Sequence, residues 1–239
     1  FVFNTLYNVV DLIYARSWAG PPDASTQDAL GATFPLFFLQ LAFGIGLYQG
    51  TTALISNAYG RGDSQEVRAL TAQAVTYGAI NGLFVALLGL ALLFPVLGGA
   101  QGLSGAEFDW AAGYMVAVFA GGPLVIANFA LFALLSGAGN NRAFGVSLSV
   151  AFFLNIALNY VFMHWLGWGL VGLGVATVLI QGPLNFLYVL YEVRLLGALK
   201  GLTIKDFWPQ AAVMRKIGTQ ALPASVSMLS LIHISEPTR

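Results

Sequence analysis

The 239-residue chain is 58% hydrophobic and only 8% charged, with a formal net charge of zero. Soluble domains carry about 25% charged residues and need a polar skin that this composition cannot supply, so a soluble fold is excluded and the bilayer is the expected solvent. The neutral balance gives no basic footprint for nucleic acid, and the lack of cysteine removes disulfides and thiolate metal sites.

A membrane-spanning helix needs about 20 apolar residues, and charge-free runs mark where such helices lie. The first run leads from Phe1 to Asp11 and ends near Ala15, too short for a complete span. It opens inside an apolar stretch without Met and lacks the basic start and small-residue cleavage site of a signal peptide. A second helix is predicted at roughly 33–57, a third at 69–97 and a fourth within 110–141. Residues 143–191 hold no Asp, Glu, Lys or Arg in 49 positions, which predicts two helices divided by the turn-like His164-Trp165-Leu166-Gly167-Trp168-Gly169. A polar linker at 197–218 follows, in which Phe207, Trp208 and Met214 alternate with basic groups and suit a helix lying on the membrane surface. A truncated seventh helix is expected at 219–228. The string LSLIHISEPTR, residues 229–239, reads as a translated sequencing adapter and is set outside the expected fold; the competing reading is a genuine polar tail. The expected fold class is therefore an all-α membrane protein, a six-helix bundle over residues 1–196 with the stub of a seventh helix.

Loop charge predicts orientation. The loops after helices two, four and six carry eight basic residues (Arg61, Arg68, Arg142, Arg194, Lys200, Lys205, Arg215 and Lys216), against Arg16 alone on the other side. The first set is expected to be cytoplasmic, together with the segment preceding Phe1. Trp18, Trp110, Trp165 and Trp168 fall near the predicted outer helix ends and Trp208 near the inner one, where indole rings prefer to lie. Gly46-x-x-x-Gly50 and Gly78-x-x-x-Gly82 allow close helix contact, and Pro123 and Pro183 predict kinks.

Asp11 is the one formal charge in the middle of an apolar run. A carboxylate at the bilayer centre costs about 3 kcal/mol or more, so it normally faces a cavity and can bind and release a proton or cation. With Arg16 five residues on, a helix-end cap is the competing reading. Asn155 and Asn159 lie one turn apart on one helix face, and Thr177 stands in the next helix. Their oxygens suit hard cations such as sodium, although membrane asparagines also serve as interhelical glue. Gln40, Gln49, Asn128 and Gln181 are candidate lining of a substrate cavity. With two histidines and no Walker sequence, no hydrolytic triad or phosphate cradle can be built.

The order of these features resembles the multidrug and toxic compound extrusion (MATE) family. The likeness rests on LYNVVDLIYAR, ALGATFPLFFLQLAFGIGLYQGTTALISNAYGRGD, GGPLVIANFALFALLSGAGNNR, FLNIALNYVF and GLVGLGVATVLIQ, in that order over some 200 residues. The resemblance implies the first lobe of a twelve-helix transporter that exports organic compounds by antiport with protons or sodium, monomeric at full length, in a bacterial-type inner membrane, and needing no cofactor beyond the coupling ion. It implies a cation or proton site at Asp11, Asn155, Asn159 and Thr177, with sodium held by Asp11, Asn155 and Thr177. Where some members carry an acid, one turn after Asn155, this chain has Asn159. Two rivals remain: a lipid-linked sugar flippase, which usually needs basic groups in its core spans, and a non-transporting membrane scaffold, which predicts no intramembrane acid.

Overall fold

The computed structural model describes residues 2–18, 25–197 and 200–235, with side chains for 9–18, 25–197 and 200–230. Among these residues every regular element is helical: α1 Val2–Ser17, α2 Thr26–Ala32, α3 Phe34–Gly60, α4 Ser64–Leu93, α5 Gly105–Ala120, α6 Gly122–Gly137, α7 Asn141–Asn159, α8 Gly169–Leu179, α9 Asn185–Leu195 and α10 Ala211–Ser235. Four continuous segments are long and apolar enough to cross a membrane: Thr26–Gly60, Ser64–Ala100, Asn141–Trp165 and Gly169–Leu195. The pair α5–α6 makes a fifth if taken as one span, bent by 49° at Gly121. α1, with 16 residues, is about 24 Å long, short of the ~30 Å hydrocarbon core.

Local chemistry sets these limits. Asp63 Oδ1 accepts from the Glu66 backbone N–H (2.9 Å) and starts α4 five residues before the charge-free run. Ser25 caps α2 in the same way. At the far end of α6, Gly139 takes φ of 86°, open to glycine at little steric cost, and lets Asn140 N–H reach the Leu135 carbonyl (2.8 Å). The two prolines expected to kink helices do so in different ways. Pro123 stands just after the α5–α6 bend, and Pro183 falls within a wider π-helical turn, Ile180–Leu184, that joins α8 to α9.

Two large apolar cores and a small one around Ala151 and Ile180 hold the bundle among the described residues. Leu47, Ile55, Leu70, Ile126, Leu134 and Val189 fill the space among α3, α4, α6 and α9, with Ile217 and Ala221 entering from α10. Leu36, Met115, Phe119, Met163 and Leu173 join α5 and α8 to the ends of α1 and α2. Both glycine pairs are used. An ideal Cβ on Gly46 or Gly50 would strike the backbone of α10 at Ser225 and Ala221, and one on Gly78 or Gly82 would strike α6 at Ala127 and Pro123. The Trp18 and Trp110 rings meet edge to face at 5.2 Å, so the ends of α1 and α5 assigned to one side do lie together. At the other end, Arg68 donates to the Lys200 carbonyl, which brings two of the basic loops to one side.

The seventh helix differs from expectation. α10 begins at Ala211, directly after Trp208-Pro209-Gln210, rather than at 219, so residues 211–218 belong to it and not to the linker. Before α10, the regular structure among the described residues of the linker is one 3₁₀ turn, Ile204–Phe207, held by a capping box between Thr203 and Asp206. Of the adapter-like string, Leu229 to Ser235 continues α10, and 236–239 lie outside the described residues.

Candidate functional site

Asp11 stands well inside α1, six residues before its end, on a face that packs against α7 and touches α8. Its side chain is 6% exposed, and Asn155 and Asn159 are fully buried. Asn159 Nδ2 donates to Asp11 Oδ1 at 2.6 Å and to Asn155 Oδ1 at 3.0 Å, so one amide ties the carboxylate to both asparagines. Asn155 also lies against the carboxylate. The one-turn spacing of the asparagines aims both at α1. Asp11 therefore caps no helix end, and its partner is a side-chain amide across a helix interface. Among the described residues no Lys, Arg or His pairs with it; the ion pairs are Arg61–Glu66 and Lys216–Glu66 (2.6 Å), far along the chain.

Thr177 is buried on α8, and its hydroxyl faces the Tyr114 phenol without a well-formed hydrogen bond. Tyr114, on α5, is buried and lies within the electrostatic reach of Asp11, so it closes the cluster from a fourth helix. The sequence offered no signal for it beyond a tyrosine in an apolar run. A tyrosine at the helix register that α5 presents to α8 is visible only once those helices pack. Asn159 Oδ1 and Thr177 Oγ1 are buried oxygens without hydrogen-bond partners. Such atoms are rare in folded proteins, and oxygens of this kind suit a hard monovalent cation or a water shared with Asp11. The Asn155 oxygen, expected as a ligand, is already engaged by Asn159.

The four residues expected to line a cavity do not meet on one surface. Asn128 is buried and donates from Nδ2 to the carbonyls of Gln181 (2.6 Å) and Gly182 (2.9 Å), both within the π-helical turn that contains Pro183. It is a structural lock rather than a lining group. Gln40 is buried with Oε1 against Gly122 at the α5–α6 bend, Gln49 is exposed on α3, and Gln181 is half-buried. An open groove of about 940 Å³ lies between α3, α4 and α10, lined by Phe43, Tyr77, Asn81, Phe84, Met214 and Leu222 among others, and by none of these four.

A helical membrane bundle with a buried, uncompensated carboxylate where four helices meet defines an integral membrane protein of the transporter type. Residues 1–161 match the MatE family model, and the chain belongs to that family. It is 27% identical over 157 residues to the probable multidrug resistance protein YoeA of Bacillus subtilis, covering 66% of this chain and 33% of that one. It is 25% identical over 223 residues to the probable multidrug resistance protein NorM of Thermotoga maritima, covering 87% and 47%. Among solved structures, a MATE protein in a bent conformation superimposes with a TM-score of 0.83 at 26% identity, over 97% of this chain and 50% of that one. A MOP-superfamily transporter from Pyrococcus furiosus does so with a TM-score of 0.81 at 25% identity, over the same shares. The chain thus spans from a third to about half of the length of the relatives it matches.

Proposed function

We propose that the chain is the first lobe of a secondary active transporter that exports organic compounds in exchange for protons or sodium. The observation that carries this reading is Asp11: buried, hydrogen-bonded by Asn159, and without a protein counter-charge among the described residues. A lone carboxylate in an apolar interior is costly, so uptake of a proton or cation there lowers the energy of the closed state. Asn159 holds one carboxylate oxygen in place. Asn159 Oδ1 and Thr177 Oγ1 supply further oxygens for a hard cation, and Tyr114 walls the site from α5.

Rocking of this lobe against a second one would open Asp11 to one side of the membrane and then the other. Carrying one charge inward across about 100 mV releases about 2.3 kcal/mol, enough to sustain a substrate gradient of roughly 50-fold. Nothing in this cycle needs an enzymatic step or a cofactor beyond the coupling ion. The names of the relatives support organic compounds as cargo, and the loop charges support an inner membrane with the basic loops in the cytoplasm. Within the full-length protein, acting as a monomer, Asp11→Asn keeps the side-chain shape and removes the charge. It should abolish ion-driven export while insertion and folding persist, and Asn159→Asp should strengthen sodium dependence. Export by Asp11→Asn at the wild-type rate with unchanged ion dependence would overturn the assignment.

A further inference from the structure

The segment between α9 and α10 is short and polar, yet α4 holds it firmly. Gln73, fully buried on α4, donates from Nε2 to the carbonyls of Asp206 (2.7 Å) and Trp208 (2.8 Å) and accepts the Gln210 N–H at Oε1 (2.8 Å). Thr76 donates to the Phe207 carbonyl (2.8 Å), and Arg68 to that of Lys200 (3.2 Å). The Asp206 carboxylate turns inward to the Thr203 N–H (2.6 Å) and hydroxyl (2.9 Å). With its polar backbone and its acid occupied in this way, the strap turns Ile204 outward at 87% exposure and Trp208 at 71%, with exposed Lys200 and Lys205 beside them.

The depth of this tip follows from α4. Arg68 is the last charge before the apolar run of that helix, and Gln73 and Thr76 lie five and eight residues further in. At ~1.5 Å per residue that is about 7.5 and 12 Å below the charged rim. Interfacial amphipathic segments bury their apolar side about 5–10 Å into the boundary between headgroups and acyl chains. Lys200, tied to Arg68, sits at the rim itself, where lysine faces anionic headgroups.

We propose that residues 200–210 form an interfacial foot, with Ile204 and Trp208 entering the acyl boundary of the leaflet and Lys200 and Lys205 contacting anionic phospholipid headgroups. This rests on the membrane fold and not on the assignment of Asp11, so either can fail without the other. The foot fixes the start of α10 relative to both the bilayer and α4, an attachment that the Lys216–Glu66 pair extends by one more contact.

The chain has no cysteine, so Ile204→Cys in the full-length protein, with any cysteines of the remaining half replaced, carries a single nitroxide at an exposed position. The label is read in phosphatidylcholine vesicles with and without phosphatidylglycerol, beside a Gln65→Cys control on the exposed first turn of α4. The expected result is faster relaxation by oxygen than by an aqueous nickel chelate at position 204, the reverse at 65, and an at least twofold larger oxygen preference with phosphatidylglycerol. Lys200→Gln with Lys205→Gln should remove that last increase. Relaxation by the chelate as at position 65 overturns the proposal. So does shielding from both agents, which would assign this face to a protein contact, and so does an oxygen preference indifferent to phosphatidylglycerol.

Discussion

Gly82 tests the packing that holds the site's surroundings together. An ideal Cβ there would stand 2.5 Å from Pro123 Cα and 2.6 Å from the Gly122 carbonyl oxygen. Carbon atoms in ordinary contact lie about 3.5–4.0 Å apart, so Gly82→Ala must part α4 and α6 by about 1 Å. Alanine gains up to about 1 kcal/mol over glycine in an unobstructed helix. Overpacking typically costs about 1–3 kcal/mol, and here both opposing groups are backbone that no rotamer change can move. The upper end applies, and the net loss should be about 2 kcal/mol. Gly145 on α7 is the control, since an added Cβ there meets nothing within 4 Å. Thermal melting of the detergent-solubilised full-length protein, followed by size-exclusion chromatography, should place Gly82→Ala several degrees below wild type and Gly145→Ala level with it or slightly above. A Gly82→Ala protein as stable as the Gly145→Ala protein would refute the backbone-to-backbone contact.

Gln73→Leu should release the strap over residues 200–210, losing three hydrogen bonds worth about 1 kcal/mol each; faster amide exchange confined to that segment checks it, and unchanged exchange contradicts it. Asn128→Leu should cost about 1–3 kcal/mol, because it removes the side-chain donor to the Gln181 and Gly182 carbonyls, of which Gly182 keeps the Asn185 N–H, and an unaltered melting curve would count against that lock. The Asp206 carboxyl is held below its ordinary range by the Thr203 backbone N–H and then its hydroxyl. A depressed value in the folded state means that this support is present above the ordinary carboxylate range and is lost as pH falls through the folded value. A nitroxide at position 204 should therefore grow more mobile on acidification below about pH 4, and Asp206→Asn should abolish that dependence.

The helices were legible because bilayer spans must be long and free of charge, and that requirement is written into residues 29–60 and 143–191. The limits set by caps were less so. Charge-free runs placed the third helix at 69, whereas Asp63 begins it at Ser64 and carries Glu66 and Arg68 on its first two turns. The start of α10 followed Pro209 rather than the last lysine. Asp11, Asn155 and Asn159 could be read as one site because helical spacing already put the two amides on one face and a buried acid needs partners. Tyr114 and the true role of Asn128 could not, since each depends on which helix packs against which. Asn128 in particular looked like a cavity amide, and its partners are two carbonyls of the π-helical turn Ile180–Leu184, which charge-free runs do not reveal.

The central claim is that Asp11 holds the coupling cation. The direct measurement is cation release from the purified full-length protein when a transported organic compound is added, recorded with a pH-sensitive dye for protons and a sodium-selective electrode for sodium. Wild type should release one of the two cations on addition of the compound, and Asp11→Asn, with a wild-type melting temperature, should release neither. Equal release from the two proteins would contradict the account.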